Sequence, residues 1–80
     1  MRVDKFLKIS RIIKRRQIAK EACDAGRVSI NGSPCKAGSV VKEGDVIEVS
    51  FGVKGVKVEV LKIADNAGKS EAAELYRILE

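Results

Sequence analysis

The chain has 80 residues, of which 45% are apolar and 34% are charged, and its formal net charge is +5. This length predicts one small domain and excludes a second domain or a deep substrate cavity. No stretch approaches the ~20 consecutive apolar residues of a membrane span, and the charged N-terminus lacks the apolar core of a signal peptide. We therefore expect a cytoplasmic protein with no membrane contact.

A first short helix is predicted from Val3 to Ser10, because apolar or small side chains recur there at helical spacing. Its inward side would consist of Val3, Phe6, Leu7 and Ser10. Asp4 lies in the first turn, where a carboxylate interacts favourably with the positive end of the helix dipole. The alternative is that Asp4 orients a neighbouring arginine or accepts a hydrogen bond from RNA.

A second helix is predicted from Lys14 to Ala25, ended by Gly26 as a C-terminal cap. Its buried side would be formed by Ile18, Ala19, Ala22 and Cys23. Arg16 and Lys20 are four residues apart, so they should lie one above the other on the opposite, exposed side. Their mutual repulsion would be relieved by a bound polyanion.

A small antiparallel sheet is predicted to follow the helices. Val28 to Ile30 reads as a strand, and Asn31-Gly32 supplies the pair of positive φ angles that a tight hairpin turn prefers. Pro34 restricts the returning strand to an edge or to its first residues. Alternating residues from 46 to 51 and from 56 to 61 predict a second hairpin, preceded by a turn at 43–45.

The C-terminal part should contain a polar loop over 65–69 and a closing helix with Ser70 as its N-cap. The inward face of this helix would be Ala72, Leu75, Tyr76 and Leu79. That face should pack on the sheet, although it could instead dock a partner through Tyr76. The resulting division is a domain over 1–64 and a loop with a helix packed on the same domain over 65–80.

The chain has no histidine, which removes the commonest general base and the commonest metal ligand. Cys23 and Cys35 are therefore expected to be reduced, buried and small apolar side chains, without zinc or a disulfide. The glycines are scattered at turns and form no phosphate-binding loop. We expect a protein that is not an enzyme and that needs no metal or cofactor.

Basic residues are concentrated in the first third of the chain. Positions 1–27 contain nine basic and three acidic residues, a net charge of +6, whereas positions 28–80 contain seven basic and eight acidic residues, a net charge of −1. A solvated helix face and a nucleic-acid surface are both compatible with composition alone. Because few aromatic residues accompany the arginines, contacts to RNA phosphates are favoured over base stacking.

The order of these features resembles the RNA-binding domain family named after small-subunit ribosomal protein S-four. The matching positions extend over roughly the first fifty residues: Arg2, Asp4-Lys5, Leu7, Arg11, Lys14 to Arg16, Ala19, Gly26 to Val28, Ile30 to Gly32, Lys36 and Gly44-Asp45. The fold implied by the resemblance is α+β, with an L-shaped pair of helices on a small antiparallel sheet and RNA bound on the helices and the following turn.

Within this family the chain is most similar to the small bacterial factors of ribosome-associated quality control, and next to the ribosome-associated heat-shock protein. The resemblance implies binding to large ribosomal subunits that carry peptidyl-tRNA, contacts to rRNA and tRNA, and support of an RqcH-type tailing factor by a monomer. The implied RNA-binding residues are Arg2, Asp4, Lys5, Lys8, Arg11, Lys14, Arg15, Arg16, Lys20, Arg27, Asn31 and Lys36. Alternatives are a recycling factor of the heat-shock type, a free-standing RNA chaperone, or a protein-interaction module.

Overall fold

The computed structural model describes residues 1–65 and 67–79 and has an α+β architecture. The elements in chain order are α1 (Val3–Ile9), α2 (Arg16–Asp24), β1 (Val28–Ile30), β2 (Ser33–Pro34), β3 (Val46–Phe51), β4 (Lys54–Val60), α3 (Lys69–Ala72) and β5 (Tyr76–Ile78). The strands form one antiparallel sheet in the order β2-β1-β3-β4-β5. Its buried side chains share a single core with α1 and α2. The predicted fold class is confirmed.

Helix α1 ends one residue before the predicted boundary and buries the predicted side. Val3, Phe6 and Leu7 are fully buried, and Ser10 follows as the buried C-cap. The chain then reverses through Arg11, whose φ of 62° is left-handed, an uncommon conformation for a residue other than glycine. The turn allows the Ile13 amide to donate to the Leu7 carbonyl at 3.1 Å, and Ile13 is buried as a result.

Helix α2 is shorter than predicted and buries a narrower stripe. It starts at Arg16 because Arg15 still has extended backbone angles. Ala19 and Cys23 are fully buried, four residues apart, whereas the side chain of Ile18 is 48% exposed. The prediction that Ile18 is buried was therefore wrong: small residues alone face the core, and Ile18 is turned away from that stripe.

Gly26 ends α2 as predicted. The amide of Arg27 donates to the Ala22 carbonyl at 2.9 Å and the amide of Gly26 donates to the Cys23 carbonyl at 3.0 Å. These two bonds form a Schellman motif, which requires a left-handed residue after the helix, and the φ of Gly26 is 78°. The motif directs the chain immediately into β1.

The first hairpin also has the predicted geometry. Asn31 and Gly32 have φ angles of 52° and 87°, and Ile30 pairs with Ser33 across them. Strand β2 is only two residues long and lies at the edge of the sheet, where the missing amide hydrogen of Pro34 breaks no internal ladder.

The C-terminal part differs from the prediction. Helix α3 is one turn, its N-cap is Gly68 and not Ser70, and Tyr76 lies in a strand that pairs with β4. A helix this short has little stability of its own, whereas the edge of β4 offers ladder hydrogen bonds to the segment that follows. Ala72 and Leu75 are buried as predicted, but Leu79 is 38% exposed. Residue 66 of the predicted loop lies outside the described residues.

The two cysteines are free thiols in the core, as expected. Burial and the neighbouring Cys35 raise the pKa of Cys23 to about 12, and burial also raises the pKa of Cys35. Both side chains are therefore neutral at physiological pH. Across 1–65 and 67–79, no helix is long and apolar enough to cross a bilayer.

Candidate nucleic-acid interface

The centre of the candidate interface is a buried carboxylate that binds two arginines. Asp4 is only 2% exposed, and its two oxygens accept from Nε and Nη2 of Arg2, each at 3.3 Å. The guanidinium of Arg16 lies 3.5 Å from the same carboxylate through both Nε and Nη2. This arrangement agrees with the alternative in which Asp4 orients neighbouring arginines.

The backbone explains why these three residues meet. Asp4 occupies the first turn of α1, where its Oδ1 also accepts the amide hydrogen of Lys5 at 2.8 Å. Arg2 precedes α1 and is held by a β-bridge to Val40, while Arg16 is the first residue of α2. One carboxylate therefore joins the N-terminal ends of both helices. The two arginine side chains remain about half exposed, at 51% and 47%, so both are accessible to a ligand.

A second group of cations lies at the other end of α1. Lys8, Arg11 and Lys14 line a depression of about 180 Å³ together with Ile9 and Ala67. All three basic residues are exposed, and the left-handed turn at Arg11 brings the chain back so that Lys14 faces the end of α1. Three cations around one concavity form a site suited to a phosphate group.

The remaining basic candidates are distributed more widely. Lys5 lies 3.8 Å from the exposed carboxylate of Asp65, and Arg15 and Lys20 are exposed at the start and along the length of α2. Lys36 lies in the loop that contacts the start of α1, where the Ala37 carbonyl accepts the Asp4 amide at 3.4 Å. Arg27 follows the far end of α2, a helix of nine residues and so about 14 Å long.

Asn31 has internal hydrogen bonds that sequence reasoning did not anticipate. Its Nδ2 donates to Oδ1 of the buried Asp45 at 3.1 Å, and its Oδ1 accepts the Val46 amide at 2.9 Å. These bonds connect the β1–β2 turn to the start of β3. These hydrogen bonds give the Asn31 side chain a structural role in addition to the RNA contact that the family resemblance implies.

Asn31→Gly is expected to lower the free energy of unfolding by about 1–2 kcal/mol, because two side-chain hydrogen bonds are lost while glycine retains the positive φ. Urea denaturation provides the measurement. Unchanged stability would contradict the structural task of Asn31. Reduced RNA affinity of the folded variant would support the RNA contact predicted from sequence.

Sequence reasoning also missed a groove beside the basic residues. Ile18 on α2 and Phe51 at the end of β3 are about half exposed and line a concavity of about 250 Å³ together with Arg27. The sequence signal for this groove was Phe51, an aromatic residue directly before Gly52 of the second hairpin. The sequence could not show that Phe51 is exposed, because its exposure depends on how far α2 covers the sheet.

Comparison with known proteins identifies the family. Residues 1–47 match the S4 domain, and the chain belongs to this family. It is 56% identical over 80 residues to the RQC P-site tRNA stabilizing factor of Bacillus subtilis, a match that covers 100% of this chain and 93% of the relative. It is 53% identical over 78 residues to the factor of the same name from Halalkalibacterium halodurans, with 98% and 89% covered.

A solved structure supports the same assignment at the level of the fold. The chain resembles Heat Shock Protein 15 of Vibrio cholerae, described as trimeric, with a TM-score of 0.90 and 33% sequence identity over 98% of this chain and 80% of that one. The family resemblance inferred from the N-terminal motifs is thus confirmed. The quality-control factors and the heat-shock protein are also the two groups that the sequence resemblance indicated.

Proposed function

We propose that this protein is a non-catalytic RNA-binding factor of ribosome-associated quality control. It binds large ribosomal subunits that carry peptidyl-tRNA and contacts both rRNA and tRNA. The observation that carries the proposal is the pair of half-exposed arginines held by the buried Asp4 on the helices of an S4 domain. The assignment to quality control and to P-site tRNA is supported by the names of the Bacillus and Halalkalibacterium relatives.

The geometry gives the two arginines a preformed arrangement. Holding a flexible cationic side chain in its bound position costs conformational entropy, and the Asp4 carboxylate supplies that order before RNA binds. Each guanidinium still has N–H groups directed to solvent, which suit the oxygens of a phosphate. Arg2 and Arg16 would therefore bind one stretch of backbone in a fixed register.

The second basic group offers a separate contact. The depression between Lys8, Arg11 and Lys14 lies at the opposite end of α1 from Asp4. Two phosphate sites on one small domain allow it to bridge two RNA segments, such as a tRNA and the adjacent rRNA. A monomer that stabilises this tRNA would support C-terminal tailing of the nascent chain by an RqcH-type factor, without a cofactor of its own.

A recycling factor of the heat-shock type is the second candidate, favoured by the TM-score of 0.90 to Heat Shock Protein 15. Co-sedimentation separates the two. Quality control predicts recovery with large subunits that retain peptidyl-tRNA and weaker recovery with subunits cleared of tRNA. Equal recovery on both would contradict the quality-control proposal and favour recycling or a general RNA chaperone.

RNA binding is expected to weaken steeply with salt, because lysine and arginine side chains release condensed counterions when they bind phosphates. If about five phosphates are engaged, the affinity should fall with a log–log slope of roughly −3.5 to −4.5. Fluorescence anisotropy over a range of salt concentrations measures the slope. An affinity independent of salt would exclude an electrostatic interface.

A further inference from the structure

The groove between α2 and the end of β3 is an apolar concavity on the surface. Ile13 is buried at its base, Ile18 and Phe51 are half exposed on its sides, and Arg27 and Glu21 line it as charged residues. Phe51 continues the inward-facing row of Ile47 and Val49, because residues two apart in a strand share a face.

The exposure of Phe51 begins where the cover of the sheet ends. Ile47 and Val49 are 0% and 2% exposed, but Phe51 extends past the part of the sheet that is covered and is 50% exposed. Ile18 is on the neighbouring helix, next to the buried Ala19. Two large apolar side chains thus face one concavity in a chain whose charged residues make up 34% of the sequence.

Charge and size favour one occupant. The groove carries its own basic residue, since Arg27 is among the side chains that line it and is exposed. A concavity of about 250 Å³ accommodates a flat ring, whereas a docked helix has a diameter of about 10 Å and needs a longer groove. Aromatic and arginine side chains are the groups on which unstacked RNA bases are commonly bound.

We propose that this groove binds a single unstacked base of the RNA, stacked on Phe51, with the adjoining phosphate paired to Arg27. The inference rests on the proposed RNA-binding function and deepens it, since it adds a base contact to the phosphate contacts of α1 and α2. Glu21 also lines the groove; one of its oxygens accepts from Gln17 Nε2 at 3.2 Å, and the other can accept from an exocyclic amino group of the base.

Phe51→Leu tests the inference, because it keeps an apolar side chain and removes the aromatic ring. The affinity for an rRNA fragment with single-stranded loops should fall by about 5- to 150-fold, the effect expected of one lost base stack. The salt slope and the affinity for inorganic polyphosphate, which has no bases, should stay unchanged. Val53→Ser is the matched control, because Val53 is fully exposed in the adjacent turn and should have no effect.

Phe51→Trp adds a direct readout, since the chain contains no other tryptophan. Its fluorescence should be quenched when the rRNA fragment binds and should not respond to polyphosphate. Wild-type affinity of Phe51→Leu for the fragment would overturn the base site. If that affinity is unchanged but binding to large subunits is lost, the groove contacts protein, which also overturns it.

A different result would contradict the proposed function itself: the wild-type protein would bind neither the rRNA fragment nor large subunits. The base site would then be rejected as well. Loss of fragment binding by Lys8→Glu/Lys14→Glu with normal binding by Phe51→Leu would retain the function and reject the base site alone.

Discussion

Asp4→Asn is expected to weaken RNA binding by about tenfold, although it raises the formal net charge from +5 to +6. A surface that attracted RNA only through its total charge would bind more tightly after this change. The structure indicates the opposite result, because Asp4 binds the guanidinium groups of Arg2 and Arg16. An asparagine there carries no charge and offers one acceptor oxygen in place of two, so it cannot hold both guanidinium groups and their common orientation would weaken.

The same variant should lose about 1–2 kcal/mol of stability, a modest amount because the two arginines are half exposed. Asp65→Asn is the matched control, because it also raises the net charge by one unit. Asp65 is exposed, and the change removes only its ion pair with Lys5, in which the two charged groups are 3.8 Å apart. That control should bind RNA as well as or slightly better than the wild type. Anisotropy titrations on folded proteins decide the matter, and tighter binding by Asp4→Asn would refute a positioning role for Asp4.

Arg16→Glu is expected to reduce both RNA affinity and stability. Sequence alone indicates an exposed residue whose reversal costs no more than about half a kcal/mol of stability. Arg16 is exposed as predicted, but its guanidinium also lies 3.5 Å from the buried Asp4 carboxylate, which adds a stability cost that the sequence did not indicate. A glutamate there would place a second negative charge near Asp4, so we expect a stability loss of about 1–3 kcal/mol and an affinity loss of about 100-fold.

Lys14→Glu provides the comparison with the same change in charge. Lys14 is exposed in the turn before α2, where its reversal should change stability by less than about half a kcal/mol while RNA affinity falls about tenfold. Thermal melts and RNA titrations should be measured on both Arg16→Glu and Lys14→Glu and compared with the wild type. If Arg16→Glu melts like the wild type, the ion pair with Asp4 does not exist in solution.

The parts of the fold that were predictable from sequence depend on neighbouring residues. The inward side of α1, the glycine that ends α2 and the Asn31-Gly32 turn each follow from residues within a few positions of one another. The strand at Tyr76 depends instead on Val58 and Val60 of β4, whose open edge competes with helix formation. The spacing of apolar residues at the C-terminus is compatible with a helix. It contains no information about the competing strand pairing with β4.

The candidate site shows the same difference. The concentration of cations in the first 27 residues is visible in the sequence, but the choice between two roles for Asp4 is not. That choice depends on the distance between the starts of α1 and α2, which is set by the turn at Arg11. The exposure of Ile18 likewise depends on which stripe of α2 reaches the core: the predicted small residues Ala19 and Cys23 are buried, and Ile18 is not.

The two edges of the sheet have different capacities for self-association. Strand β2 ends the sheet with two residues and a proline, so it offers little backbone for another strand to join. Strand β5, with the exposed Ile78, is open to pairing along its outer side. A fibre can grow only if each molecule accepts a neighbour at both edges of its sheet, and among the described strands β5 offers the longer edge, three residues without a proline. We therefore expect edge-to-edge pairing of this sheet at high concentration to stop at a pair joined through β5.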